Sequence, residues 1–269
     1  MKDRLRVKPG TKVKLKDWNP DDDGGIGKDS PEAEAALRKD LHRLSDLQER
    51  LYAECRQSLL VVLQGMDTAG KDGTISHVMR GMNPSSVQIV PFKQPTSDDV
   101  AHDFLWRIHK QTPAKGRIAV FNRSHYEDVL VARVHKLVPD KVWSKRYKLI
   151  NHFEQLLVEN GTRVIKFFLY ISKDEQKARL QSRIDDKEKH WKLSEADFKE
   201  RALWDDYIDA YEQAMSECST DHAPWYVVPA NHKWYRNLVV ARILADTLED
   251  MNPGFPLPTV DADHLAVKL

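Results

Sequence analysis

The apolar run Ser58–Leu63 ends at Gln64 and breaks at once into Gly65-Met66-Asp67-Thr68-Ala69-Gly70-Lys71. No other stretch of the chain constrains the fold as tightly. The two glycines and the lysine have the spacing of a phosphate-binding loop between a strand and a helix. Glycine permits a turn whose backbone N–H groups point inward at phosphate oxygens, and the helix then presents its positive end to the anion. Lys71 adds a mobile point charge. Gly65, Thr68, Ala69, Gly70, Lys71, Asp72, Gly73 and Thr74 are therefore candidate phosphate-binding residues. An ordinary glycine turn is the plainer reading, but the residues on both sides of the loop suit the motif.

The acids in this loop are its peculiarity. The position after the lysine, normally Ser or Thr and a magnesium ligand, is Asp72, and a second acid, Asp67, sits inside the loop. Two carboxylates beside a polyanion repel it unless a divalent cation lies between them. Mg²⁺ is the expected ion, with Mn²⁺ able to take its place, and Asp67 is the first candidate ligand. Asp72 has an alternative role as a charge at the helix start.

Short apolar runs alternate with amphipathic segments along the rest of the chain. The runs are Leu59–Gln64, Val87–Phe92, Arg117–Phe121, Val164–Ile171 and Trp225–Val228, and helices are expected at about 71–82, 98–110, 126–137, 142–160, 174–186, 195–217 and 232–250. Five β-rich runs separated by helices predict an α/β fold with a five-stranded parallel sheet covered on both faces. A further helix is predicted from Pro31 to Cys55, capped by Ser30, with an apolar stripe of Leu37, Leu41, Leu44, Leu47 and Leu51. Residues 1–30 read as an extended or partly disordered arm, 31–252 as one domain and 253–269 as a tail.

Charge and cysteine content exclude several classes. There are 42 Lys plus Arg against 41 Asp plus Glu, too balanced for a general nucleic-acid binder. No apolar run approaches the roughly 20 residues that span a bilayer. No apolar stretch follows the basic residues at the amino terminus, so no secretory signal is expected. Two cysteines, Cys55 and Cys218, cannot build a disulfide framework, and a cytoplasmic location is the expectation.

A second cluster closes the third β-run: Asn122-Arg123-Ser124-His125-Tyr126-Glu127-Asp128. In a P-loop fold the end of this strand meets the metal and the phosphates. Arg123 is placed to hold phosphate bidentately. Asp128 joins Asp67 as a candidate metal ligand, with Asp72, Asn122 and Glu127 as further candidates. Glu127 and Asp128 also suit the first turn of a helix, and His125 reads as a hydrogen-bonded histidine or a base. Further on, Arg179, Arg183 and Lys187 share one helix face. They point to a lid over about 179–200 that closes on phosphates, although interleaved acids would equally suit a solvated helix end. Lys93 follows the second β-run where an acceptor site is expected, and Arg80 is a further candidate cation for a polyanion.

These residues resemble the polyphosphate kinase 2 family. The loop Gly65–Gly73, Pro91-Phe92-Lys93-Gln94-Pro95-Thr96, His102–Arg107, Asn122–Tyr126 and Asn231-His232-Lys233-Trp234-Tyr235-Arg236 all look like that family's segments, and the similarity spans about residues 30 to 252. The resemblance implies a thymidylate-kinase-like P-loop kinase core with a helical lid. It implies Mg²⁺-dependent, reversible transfer of phosphoryl groups between inorganic polyphosphate and nucleotides by a homo-oligomer. Asp67, Lys71, Arg123 and Arg183 correspond by position to family residues needed for activity. Asn122 departs from members that carry Asp there. The segment His125–Asp128 looks like the subgroup that accepts both AMP and ADP, with guanine nucleotides a further class of acceptor. Two other readings stand beside this one: an ATP-dependent nucleoside-monophosphate kinase, and a non-catalytic polyphosphate or nucleotide sensor.

Overall fold

All seven residues of Ser58–Gln64 are buried, as a strand flanked on both edges and covered on both faces requires. In the computed structural model, which describes residues 2–27 and 30–260, this strand is β1 of a five-stranded sheet. The others are β2 (Val87–Pro91), β3 (Ile118–Asn122), β4 (Thr162–Tyr170) and β5 (Trp225–Pro229), in the order β2-β3-β1-β4-β5. Every pairing is parallel, with Leu63 opposite Asn122 on one side and Phe167 on the other. All the strands therefore end on one edge, and the chain reverses direction across the sheet beside β1, where open α/β sheets bind ligands.

The main helices are α1 (Pro31–Glu54), α2 (Lys71–Val78), α3 (Asp140–Glu159), α4 (Lys173–Asp185), α5 (Glu195–Ala202), α6 (Trp204–Cys218) and α7 (Lys233–Met251). One layer packs α7 against α1 and α2, and another packs α3 against α6 and β4. The Ser30 hydroxyl accepts from the Ala33 amide at the start of α1, the cap that its sequence advertises. Left-handed Asn252 ends α7 just before Pro253.

Three expected helices are interrupted. The span 98–110 divides into Ser97–Ala101 and Trp106–His109. Between them the Asp103 carboxylate takes the Leu105 amide, a local turn that competes with the helix. The span 126–137 becomes a 3₁₀ turn, His125–Asp128, and a short helix, Val131–Val134. The span 195–217 breaks at Leu203, which leaves the helical region between α5 and α6.

The amino-terminal segment is extended but not detached. Leu5, Val7, Val13 and Leu15 are buried in the main core, and Arg6 forms an antiparallel bridge with Tyr226 on the β5 edge. Leu15 N–H and Lys14 Nζ both donate to Glu212 of α6. The alternation of lysine with apolar residues thus marks a segment that covers an otherwise open strand, and residues 2–27 are not a disordered arm. The carboxy-terminal segment expected over 253–269 lies outside the described residues from 261 onward. No helix among the described residues is long and apolar enough to cross a membrane.

Candidate active site

β1 delivers Gly65 into the loop with no room for a side chain. A Cβ there would stand 2.8 Å from the Leu169 carbonyl oxygen of β4. At Gly70 the φ is +98° and a Cβ would run into the buried Arg236 guanidinium, so glycine is required for conformation and for space. Thr68 adopts φ +65°, a strained value for a β-branched residue, and its buried hydroxyl has no partner.

Lys71 folds back over the loop and donates from Nζ to the carbonyls of Gly65 (2.7 Å) and Met66 (3.3 Å). Burial pushes its pKa down to about 8, with nearby Arg123 adding to the effect against Asp67, Glu127 and Asp72. Thr74 spends its hydroxyl on the Gly70 carbonyl. Gly73 lies on α2 beneath Arg236, 3.4 Å from its Nη2 if a Cβ were built. Asp72, in the first turn of α2, accepts from Asn122 Nδ2 at 2.6 Å, which ties the start of α2 to the end of β3.

At the end of β3, Arg123 takes φ +63° and spans two acids. Its Nη2 donates to Asp67 Oδ1 at 2.8 Å and its Nη1 to Glu127 Oε2 at 3.0 Å. Burial opposes the charge on this guanidinium, but Glu127 and Asp67 outweigh it and hold the proton more firmly than usual. Asp128 faces away from that group. Arg146 donates to its carbonyl (2.9 Å) and carboxylate (3.2 Å). Burial raises its pKa to about 6 against Arg146 and Arg107. Glu127 lines a cavity of about 280 Å³ with Asp67, whereas Asp128 does not. Of the adjacent acids expected to bind metal, the structure thus brings Glu127 to Asp67, because the 3₁₀ turn points the two side chains apart.

α5 roofs the cavity with Ala196, Asp197 and Glu200, and α6 closes its back with Tyr207 and Tyr211. The expected lid over 179–200 is thus the outer part of α4, the 3₁₀ turn Lys187–Lys192 and α5. Arg183 makes only long contacts, at 3.4 Å, to the Lys192 carbonyl and Asp197, and Lys187 is exposed. Arg179 does something else. Its Nε donates to Glu175, Nη1 to the Thr68 and Ala69 carbonyls, and Nη2 to those of Ala230 and Asn231. All five donors are spent inside the protein. The expectation of Arg179 as a phosphate ligand gives way to a clamp that fastens the loop to the β5–α7 turn. Arg236 donates to the same Ala69 carbonyl, and burial, then Arg179, lowers its pKa to about 10.

Lys93 is exposed at the end of β2, and its carbonyl accepts from Arg107. Arg80 lies two residues past the end of α2, on the opposite end from Lys71. His125 is wholly buried, so it cannot serve as a base toward a ligand. No motif or spacing points to His135, which bonds Glu200 across the cavity at 3.0 Å, or to Tyr207, which donates to the same Glu200 at 2.7 Å. Glu200 and Tyr207 lie on α5 and α6 and His135 caps the end of the short helix Val131–Val134, so only the fold gathers them.

Among the described residues no three His, Cys, Asp or Glu form a ready-made metal cluster. Asp67, Glu127 and the unpartnered Thr68 hydroxyl nevertheless suit Mg²⁺. That ion is commonly held by one or two carboxylates, with phosphate oxygens and water completing its shell.

A parallel sheet, a phosphate loop and an acid–arginine cluster at the end of β3 define a P-loop phosphotransferase fold. The family model for polyphosphate kinase 2 matches residues 27–256, and the chain belongs to that family. It is 49% identical over 98% of its length to an AMP/ADP-polyphosphate phosphotransferase of Meiothermus ruber, covering 99% of that protein. It is 46% identical to an ADP-polyphosphate phosphotransferase of Rhodopseudomonas palustris, with 95% and 92% of the two chains aligned. The crystal structure of polyphosphate kinase 2 from Arthrobacter aurescens superposes with a TM-score of 0.95 at 45% identity, covering 100% of this chain and 96% of that one.

Proposed function

We propose that this enzyme transfers the terminal phosphoryl group of inorganic polyphosphate to AMP and to ADP, reversibly and with Mg²⁺. The observation that carries this reading is Arg123 bridging Asp67 and Glu127 at the mouth of the phosphate loop. Each of these groups suits a bound polyphosphate chain. Backbone N–H groups and Lys71 receive phosphoryl oxygens, and Arg123 can turn its fork from the two acids to phosphate. Mg²⁺ held by Asp67 and Glu127 would supply the positive charge that lets these acids tolerate a polyanion. An acceptor phosphate is already ionised, so no general base is needed. Buried His125 is consistent with that.

Arg183 is the lid cation best suited to the moving group, since its present contacts are long and easily exchanged. The unbridged thiols Cys55 and Cys218 suit a cytoplasmic protein. The exposed apolar residues Val142, Leu149 and Leu156, seven apart along α3, suit a homo-oligomer. The test is product analysis with purified protein, Mg²⁺ and polyphosphate, supplying each nucleotide mono- and diphosphate in turn. ADP should appear from AMP first and ATP after it. Transfer from ATP with none from polyphosphate would overturn the reading.

A further inference from the structure

Lys166 is an anomaly in β4. Past Thr162 the buried positions of the strand Thr162–Tyr170 are otherwise apolar, yet a fully buried lysine stands at its centre, opposite Val62 of β1. Its ammonium is completely satisfied. Nζ donates to Glu154 Oε2, to the Tyr126 hydroxyl at 3.0 Å and to the Cys218 carbonyl at 2.7 Å. Glu154, equally buried on α3, receives the Tyr126 hydroxyl at 2.9 Å and His125 Nε2 at 3.2 Å on its other oxygen. Burial pushes the Glu154 carboxyl up, but Lys166 and His125 outweigh it and hold it below its usual range. Lys166 and Glu154 face each other as a buried ion pair.

Burying such a pair costs several kcal/mol per ion, and apolar residues of like volume often serve stability as well or better. What apolar residues cannot do is fix the direction of two polar side chains. His125 and Tyr126 are the two that end on this pair, and they lie between Arg123 and Glu127 in one short turn. The same turn is held at its start by Ser124, whose hydroxyl accepts from the Tyr126 amide and from Gln64 Nε2, one residue before the phosphate loop. Arg123, directly before that turn, has a left-handed φ of +63°.

We propose that Glu154 and Lys166 are positioning residues, acting through His125 and Tyr126 to hold Arg123 and Glu127 in register with Asp67. The inference rests on the proposed phosphoryl transfer, and on no new contact with substrate. Loss of the ion pair should leave a folded protein whose Arg123 and Glu127 are displaced by a fraction of an ångström to an ångström. Displacements of that size cost up to about 100-fold in rate.

The experiment compares the parent with the charge-free double variant Glu154→Leu/Lys166→Met and with Tyr126→Phe, which removes one hydroxyl and leaves the ion pair intact. Circular dichroism and thermal melting establish folding. Initial rates with polyphosphate and ADP are then measured across a Mg²⁺ titration at temperatures where all variants are folded. Both variants should show kcat lowered by about 10- to 100-fold, KM for ADP within a few-fold of the parent, and a higher Mg²⁺ midpoint. A merely structural role would lower the melting temperature and leave the Mg²⁺ midpoint unchanged. The inference is overturned if either folded variant keeps the parental kcat and Mg²⁺ midpoint. Should the double variant not fold, Y126F alone decides the matter by the same two readouts. An inactive parent would instead refute the proposed function.

Discussion

Arg123 Nη2 lies 2.8 Å from Asp67 Oδ1, a bond between residues 56 apart that joins the end of β3 to the middle of the phosphate loop. Each partner has been expected to meet a ligand, and in this structure each holds the other. Under the proposed phosphoryl transfer, Asp67 would exchange this arginine for metal and Arg123 would exchange this carboxylate for phosphate.

The first prediction follows from that exchange. Asp67→Asn removes charge from the metal side while keeping shape, so half-maximal activity should need more Mg²⁺, and excess chelator should abolish activity of the parent. Activity measured against free Mg²⁺ checks both. Full turnover in chelator would show that the acids are not metal ligands.

Lys71 gives a pH prediction whose sign can be worked out. Its pKa is about 8 in the folded protein against 10.5 when unhindered. Between those values the unfolded chain holds the proton and the folded chain does not. The contribution of this lysine to stability therefore rises with pH across that window. Activity should move the opposite way. The ligand-free enzyme loses the ammonium above about 8, so kcat/KM for polyphosphate should fall there, while the bound polyanion keeps Lys71 charged and shifts the limb of kcat upward. Lys71→Arg should abolish that limb. Lys71→Met should lower kcat by about 10²–10³-fold. A limb that persists in the arginine variant would belong to another group.

Arg179 and Arg183, one helical turn apart, should separate cleanly. Arg179→Ala removes a donor from four buried or half-buried carbonyls of the loop and the β5–α7 turn, of which Ala69 keeps Arg236, and should cost about 3 kcal/mol of stability. Arg183→Ala should leave the melting temperature within a degree or two but lower kcat more than nucleotide affinity. Denaturant titration and steady-state kinetics on both variants make the comparison. Equal stability losses would deny Arg179 its role as a clamp.

The sequence carried the centre of this site because the phosphate loop is local: seven residues encode strand end, turn and helix start, and β1 obeys them. It carried the sheet for a similar reason, since buried parallel strands read as apolar runs. It did not resolve the side chains of the second cluster. A 3₁₀ turn sends Glu127 and Asp128 in different directions, and nothing in Glu127-Asp128 as a dipeptide says which will face Asp67. Arg179 and Arg183 look alike in sequence for the same reason, because the carbonyls that occupy Arg179 come from Thr68, Ala69, Ala230 and Asn231, far away along the chain. Lys166 could be read from the strand only as an exception, without its partner.

The last prediction concerns how the lid is held. α5 meets the body of the domain where Glu200 receives Tyr207 Oη and contacts His135 Nε2 across the cavity. Arg201 adds bonds to the Lys173 carbonyl and the Gln176 side chain on α4, but these stay within the lid's own stem. Glu200 is thus the group on α5 that bonds to His135, just past the short helix Val131–Val134, and to Tyr207 of α6. Glu200→Gln keeps a hydrogen bond to Tyr207 and weakens the one to His135 by removing the charge. Opening of α5 should become more frequent, and substrate affinity should fall because less of the protein is in the binding-competent form. Amide exchange should therefore speed up over Glu195–Ala202 in the variant while β1 and α2 exchange as in the parent. Added polyphosphate and ADP should slow it again, since ligands that bridge loop and lid restore the lost tie. Unchanged exchange over α5 would mean that the Arg183 and Arg201 contacts hold the lid, and that Glu200 serves only the cavity wall.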